Sequence, residues 1–82
     1  MKVKPLKRRL VTYVTIHNLI KKLNKQIRLL EENFTHPSLN TEKLEPKDFN
    51  LYSFRVDRKY RAIFNITEVG EIEIIDINDH YQ

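Results

Sequence analysis

The sequence predicts an α+β domain in which an N-terminal helical hairpin packs on a curved antiparallel sheet of three to four strands. Apolar residues first recur at helical spacing, and three segments of alternating apolar and polar residues then follow position 50. Turn residues separate these segments. With 82 residues, the chain has the size of one compact domain, and we treat 1–82 as a single unit.

The most regular element is a helix predicted over residues 19–34. Asn18 is the predicted N-cap, and Asn33 and Pro37 mark the end of the helix. The apolar residues of this segment are three or four positions apart and so share one helical face: Ile20, Leu23, Ile27, Leu30 and Phe34.

Residues 6–16 allow two interpretations. Their apolar positions suit an amphipathic helix, whereas the β-branched run at 11–16 has the propensity of a strand. We favour the helix, joined to the next by a turn at His17-Asn18, because two antiparallel helices then form a hairpin.

Residues 35–50 are predicted to form a long ordered connector, with a single helical turn near 41–44. Pro46 prevents any helix from continuing past Glu45. Ordered loops of this length in a compact domain are often functional.

Three strands are predicted next, over residues 51–57, 60–67 and 71–78. Arg58-Lys59 and Val69-Gly70 supply the turns between them. The pair Ile74-Ile75 breaks the alternation of the third strand, which indicates a bulge or burial of both faces.

Two arginines lie on neighbouring predicted strands. If the alternating aromatic residues face the helices, Arg55 and Arg61 point to the opposite, open and concave face of the sheet. Two guanidinium groups held there suit a phosphate, which they bind through planar forks of N–H donors. The alternative is cross-strand pairing of the arginines with Asp57, Glu71 or Glu73.

The charge is unevenly distributed. Lys and Arg number 15 against 11 Asp and Glu, for a net charge of +4. Residues 2–28 contain nine basic residues and no acidic one, which suggests a polyanion or an acidic protein as partner. A solvated helix face explains the lysines equally well.

Several classes of protein are disfavoured. The chain lacks cysteine, so disulfides and thiolate metal sites are excluded. Its three histidines have no HxxxH spacing, and we predict no metal and no other cofactor. No apolar run approaches the ~20 residues of a membrane span. We expect a cytoplasmic protein with no membrane partner.

Three segments resemble toxins of the RelE/ParE superfamily, especially the RelE–YoeB branch. The first is YSFRVDRKYRAIF at 52–64, the second is FTHPSLN at 34–40 followed by EKL at 42–44, and the third is the strand at 72–77 followed by DHY at 79–81. With the helix that precedes them, the resemblance covers roughly residues 18–82. The resemblance implies a helical hairpin on a curved antiparallel sheet, often with a short first strand, which residues 2–5 would supply.

The resemblance also implies an activity: the toxin of a type II toxin–antitoxin system, acting as a ribosome-dependent, metal-independent mRNA endonuclease that inhibits translation. By position, Arg61 resembles the arginine that stabilises charge on the scissile phosphate. His80 resembles the general acid, Glu42 the general base, and Tyr81 a residue that stacks on or orients a base. Substrate-binding residues would be Arg55, Arg58 and Lys59.

The implied partners are a cognate antitoxin, with which the toxin forms an oligomer, and the ribosome with its mRNA. From spacing alone His80-Tyr81 is a frayed tail, and the acidic residues at 76–79 are unexpected beside RNA. Two other functions therefore stay open: a non-catalytic module, for example a gyrase inhibitor, and a general nucleic-acid-binding domain that uses only its basic helices.

Overall fold

The computed structural model describes residues 1–80 and confirms the predicted α+β class, with two helices followed by a four-stranded antiparallel sheet. Two 3₁₀ turns, Pro37–Leu39 and Lys47–Phe49, lie in the connector. The helices and strands are α1 (Arg8–Ile16), α2 (Ile20–Glu32), β1 (Glu42–Lys43), β2 (Leu51–Arg55), β3 (Arg61–Ile66) and β4 (Ile72–Asn78).

The helix α1 forms in spite of its β-branched residues, as predicted. Leu10 and Val14 are fully or almost fully buried in the core, whereas Val11 and Thr15 lie on the exposed side. The Thr15 hydroxyl donates to the Val11 carbonyl within the helix at 2.7 Å. Burial of one helical face outweighs the weak strand preference of such residues.

The start of α2 differs from the prediction. Asn18 has a left-handed backbone with φ 57°, a conformation that Asn adopts more readily than most residues, and it belongs to the turn. The N-cap is Leu19, which has no side-chain cap. Leu19 is also buried, whereas Ile20 is 46% exposed. The predicted N-cap and the predicted place of Ile20 on the buried face are therefore wrong.

The four strands are hydrogen-bonded in chain order, β1 to β4. Glu42 and Lys43 lie opposite Ser53 and Tyr52 as an edge strand, so the helical turn predicted near 41–44 is wrong. The backbone of this edge strand instead pairs with the backbone groups on the outer side of β2. At the other edge Val3 forms a single parallel bridge to Ile72, and residues 2–5 form no full strand.

The irregularity predicted at Ile74-Ile75 is a β-bulge. Phe64 lies opposite Ile74 and Ile63 lies opposite Asp76, so Ile75 is the extra residue. Its carbonyl accepts a hydrogen bond of 3.0 Å from Nη2 of Arg9 on α1. A group that the bulge frees from the ladder thus helps to attach α1 to the sheet edge.

The core lies between the helical hairpin and one face of the sheet. Phe54, Ala62 and Phe64 are completely buried there together with Leu10 and Leu30 of the helices. Because side chains alternate along a strand, the residues between them face away from the helices. Within residues 1–80, no helix has the length and apolar character needed to cross a membrane.

Candidate functional site

The predicted arginine pair is brought together by the strand register. Arg55 lies directly opposite Arg61, which in turn lies opposite Asn78 of β4. Glu42 lies opposite Ser53, two residues before Arg55 on β2. The alternation of side chains puts Glu42, Arg55 and Arg61 on the sheet face away from the helices. The shared sheet face that was predicted for Arg55 and Arg61 is confirmed, whereas the place of Glu42 on that face was not predicted.

The Arg61 side chain is buried, contrary to the expectation of an open position. The residue is only 8% exposed. Its Nε and Nη2 donate to the Ser53 Oγ at 3.1 and 2.9 Å. Nη2 also donates to the Asn40 carbonyl at 2.6 Å. Asn40 has a left-handed backbone with φ 45° at the end of a 3₁₀ turn, where the connector bends back toward the sheet.

Burial lowers the pKa of the Arg61 guanidinium from its ordinary value. The charge of Arg55 lowers this pKa further, whereas the carboxylate of Glu42 acts in the opposite direction. The Arg61 guanidinium still stays protonated, because arginine retains its charge in proteins. Its charge is thus held in a poorly solvated position near one carboxylate and one other guanidinium.

The contacts of Arg61 determine which of its donors a ligand meets. Ser53 occupies the side of the guanidinium formed by Nε and Nη2. The Nη1 amino group makes no hydrogen bond to the part of the chain that is described, so its two N–H groups are the donors left for an anion. Arg55, which is exposed, supplies a second guanidinium beside it.

The alternative pairing of the arginines with carboxylates is not observed among residues 1–80. Asp57 instead pairs with Lys22 at 3.1 Å, and Glu73 pairs with Lys4 at 3.8 Å. Arg61 is held by a hydroxyl and a carbonyl, which are both uncharged, and the nearby Glu42 carboxylate acts on its charge without forming an ion pair.

A buried amide ties the site to the helices. Gln26 of α2 is 6% exposed, and its Nε2 donates to the Arg55 carbonyl at 2.7 Å and to the Ser38 carbonyl at 3.1 Å. One side chain thereby joins α2, the connector and the end of β2. The position of the arginine pair relative to the connector depends on this link.

The turn between β2 and β3 carries Arg58 and Lys59. The Asp57 carboxylate accepts hydrogen bonds from the Lys59 and Tyr60 backbone N–H groups, at 2.9 and 2.8 Å. The Lys59 ammonium lies 5.5 Å from the centroid of the Tyr60 ring, and that ring contacts Tyr13 of α1. Lys59 therefore lies over a ring on the helical side of the sheet, not beside Arg61.

The predicted general acid lies just beyond the end of β4. His80 follows Asn78 by two residues, and its backbone N–H donates to the Asn78 Oδ1 at 3.0 Å. Its side chain is 80% exposed, with Nε2 4.0 Å from an oxygen of Asp79. Because Asn78 lies opposite Arg61, His80 is at the same end of the sheet. Tyr81 lies outside the described residues.

Sequence reasoning missed the residues that hold the arginines. Ser53 is on the Arg55 face by the same alternation of side chains, but no contact with Arg61 was predicted for it. Gln26 lies three residues after Leu23 and four before Leu30, on the buried helical face, and a polar residue there is a signal of a specific hydrogen bond. Nothing in the sequence indicates the direction of the Asn40 carbonyl.

No family model matches the chain, and no curated protein matches it either. Solved structures do match. A YoeB/ParE toxin from Agrobacterium tumefaciens superimposes with a TM-score of 0.72 at 20% identity, over 99% of this chain and 100% of that one.

Two structures from Staphylococcus aureus are also similar. The YoeB dimer has a TM-score of 0.66 at 21% identity. The heterotetrameric YoeB–YefM toxin–antitoxin complex gives 0.69 at 20% identity. Each match covers 98% of this chain and 94% of the other. The chain therefore has the RelE/ParE-like fold in the form seen in YoeB.

Proposed function

We propose that this protein is the toxin of a type II toxin–antitoxin pair and cuts mRNA on the ribosome without a metal ion. One observation carries the proposal. Glu42, Arg55 and Arg61 come from three strands, and His80 follows the fourth, yet all four lie at the same end of the sheet. A general base, an anion-binding pair and a general acid are the groups that ribose-assisted cleavage of RNA requires.

In the proposed reaction Glu42 takes the proton of a ribose 2′-hydroxyl, and the 2′-oxygen attacks the adjacent phosphorus. The bond from phosphorus to the 5′-oxygen breaks, and His80 protonates that leaving oxygen. The products are a 2′,3′-cyclic phosphate and a 5′-hydroxyl. The electron pair of the broken bond stays on the 5′-oxygen, and no atom is oxidised or reduced. One proton moves from the substrate to Glu42, and another moves from His80 to the product.

Arg61 would stabilise the charge that accumulates on the phosphate oxygens. A guanidinium fixed by Ser53 and Asn40 needs little reorganisation during the reaction, and its poor solvation strengthens its field. The exposed Arg55 would bind the same or a neighbouring phosphate. Arg58 would extend the basic surface at the turn, and Lys59 would join it only by leaving the Tyr60 ring.

A cognate antitoxin is the proposed protein partner, and the ribosome with its mRNA is the proposed substrate complex, both in the cytoplasm. The similar YoeB of Staphylococcus aureus forms a heterotetramer with YefM. The excess of basic residues in 2–28 would favour an acidic antitoxin segment through charge complementarity. Tyr81, the proposed stacking residue, belongs to the same proposal.

The test is growth arrest after induction of the protein in a bacterial host. We expect His80→Ala and Glu42→Gln each to lower the cleavage rate about 100-fold or more and to relieve the arrest. Both side chains are exposed, so neither change disturbs the core. Glu45→Gln, in the same connector and also exposed, is the matched control and should stay toxic. Full toxicity of both site variants would refute the proposed chemistry.

The second candidate is a non-catalytic module of the same fold, such as a gyrase inhibitor. The burial of Arg61, whose Nη1 is its one nitrogen without a hydrogen bond to residues 1–80, is the observation that favours it. Primer extension on cellular mRNA separates the two functions. Cuts in phase with codons support the nuclease, whereas intact mRNA together with stalled DNA replication supports the inhibitor.

A further inference from the structure

A concave site lies in the connector, on the other side of β1 from the arginines. It is an open cleft of about 360 Å³ between the end of α2, the connector and the edge of the sheet. The side chains that matter below are Phe34, His36, Lys43 and Tyr52, with Asn40 at one end. Its volume falls within the range of small-molecule sites, which begins at about 300 Å³.

The cleft and the arginine site are separated by one edge strand. Glu42 and Lys43 are neighbours on β1 and pair with Ser53 and Tyr52, so their side chains point to opposite faces. Asn40 joins the two sites, because it lines the cleft while its carbonyl accepts from Arg61. A chain bound at Arg61 would have to pass over the edge strand β1 to reach the cleft.

The lining of the cleft suits an anion with a flat ring. No Asp or Glu is found among the described residues that line it. The Lys43 ammonium lies 5.7 Å from the centroid of the Tyr52 ring and forms no ion pair within residues 1–80. The His36 Nδ1 accepts from the Ser38 backbone N–H at 3.1 Å, which leaves Nε2 as a donor.

The aromatic wall of the cleft is rigid. Tyr52 packs against Phe34 edge-on at 5.8 Å and stacks on Phe64 at 5.5 Å between ring centroids. Because Phe64 is completely buried, the wall is anchored in the core. Pre-positioned rings bind a nucleobase at a low entropic cost.

We propose that this connector cleft binds one nucleotide of single-stranded RNA, next to the nucleotide held at Arg61. Lys43 leaves the Tyr52 ring and binds its phosphate together with His36, and its base takes the place of the ammonium on the wall of Tyr52 and Phe34. The assignment to RNA rests on the proposed nuclease function, whereas the affinity for a nucleotide does not. The scissile phosphate and its neighbour would then lie on either side of β1.

The test uses the full chain carrying His80→Ala, titrated with adenosine 5′-monophosphate and followed by backbone amide shifts in NMR. We expect the shifts to centre on residues 35–43 and Tyr52, and we expect Lys43→Ala to weaken binding at least tenfold. Lys47→Ala removes the same charge from an exposed residue of the same connector and should leave the affinity unchanged. Shifts centred on Arg55 and Arg61, or equal affinity in the Lys43→Ala protein, would overturn the proposal.

Two further titrations complete the experiment. Inorganic phosphate alone should bind at least tenfold more weakly than the nucleotide, because it lacks the base; equal affinity would refute the role of the rings. The proposed nucleotide site and the proposed nuclease function can also be refuted independently of each other. Codon-phased cleavage with no nucleotide in the cleft would refute only the subsite, whereas nucleotide binding without any RNA cleavage would refute only the nuclease.

Discussion

In the proposed reaction the chemistry of the site depends on Arg61, and the position of its guanidinium is set by two neighbours. Ser53 accepts from Nε and Nη2, and the Asn40 carbonyl accepts from Nη2. A buried cation is stable only when its donors are satisfied. Ser53 and Asn40 thus make the burial of Arg61 possible, while Nη1 has no hydrogen-bond partner among residues 1–80 and can bind an anion.

Replacing Ser53 by Ala should loosen this arrangement. Ser53 is 1% exposed, and the change leaves two donors of Arg61 without their acceptor, at a cost of about 1–3 kcal/mol in the free energy of unfolding. The Arg61 Nε–H should also exchange faster with solvent, which NMR measures directly. Ser38→Ala removes a hydroxyl from an exposed connector residue and should change neither quantity. Unchanged exchange in the Ser53→Ala protein would show that Ser53 does not hold Arg61.

For single residues, the sequence predicts the face of the sheet to which a side chain points better than it predicts whether that side chain is buried. The side chains of Arg55 and Arg61 share a face because strand alternation is strictly periodic. The burial of Arg61 depends on Asn40, which is 21 residues away in sequence and meets it only through the bend of the connector. No local pattern encodes such a contact.

Among the elements, those with a strong periodicity were predicted and those formed by tertiary contacts were not. The spacing of α2 and the alternation of β2 and β3 appear in the sequence. β1 has only two residues, Glu42 and Lys43, and exists because the connector meets the free edge of β2. The start of α2 was misplaced by one residue because Asn18 serves the left-handed turn and not the cap.

The turn between β2 and β3 is held by Asp57, which gives it a dependence on pH. Burial alone would raise the pKa of Asp57, but hydrogen bonds from Tyr60 and Lys59 and the charge of Lys22 outweigh it and lower the pKa. The carboxylate therefore stabilises the fold above its unfolded pKa of about 3.9, and the stabilisation is lost as the pH falls toward the lower folded value.

Asp57→Asn should accordingly lower the free energy of unfolding at pH 7, and its difference from the unaltered protein should shrink as the pH falls below about 4. Urea unfolding between pH 7 and 3 measures both effects. Asp48→Asn, at an exposed connector position, is the control and should follow the unaltered protein. If the difference in the free energy of unfolding stays constant with pH, Asp57 stabilises the turn through its shape and not through its charge.

Across the whole molecule, positive charge is present on two surfaces that have different roles in the proposal. Lys21 and Lys25 are exposed on α2, on the helical layer of the protein. Arg55 is exposed on the opposite face of the sheet, beside Arg61. The uneven charge of the sequence favours the helices as the RNA-binding surface, whereas the strand register favours the open face of the sheet. The two layers of the fold therefore offer two alternative surfaces for RNA binding.

The salt dependence of RNA binding decides between these surfaces. Each phosphate contact contributes about 0.7 to the slope of log affinity against log salt for a single strand. The ligand is a short RNA that carries a 2′-deoxy sugar at the cleavage position, so that it cannot be cut. Arg55→Gln should weaken its binding and reduce the slope by about 0.7, the contribution of one phosphate contact. Lys21→Gln together with Lys25→Gln removes two charges from the helices and should leave the slope unchanged, as fluorescence anisotropy between 50 and 200 mM salt would show. The reverse result would make the basic helices the RNA-binding surface and leave the arginine face without a role in substrate binding.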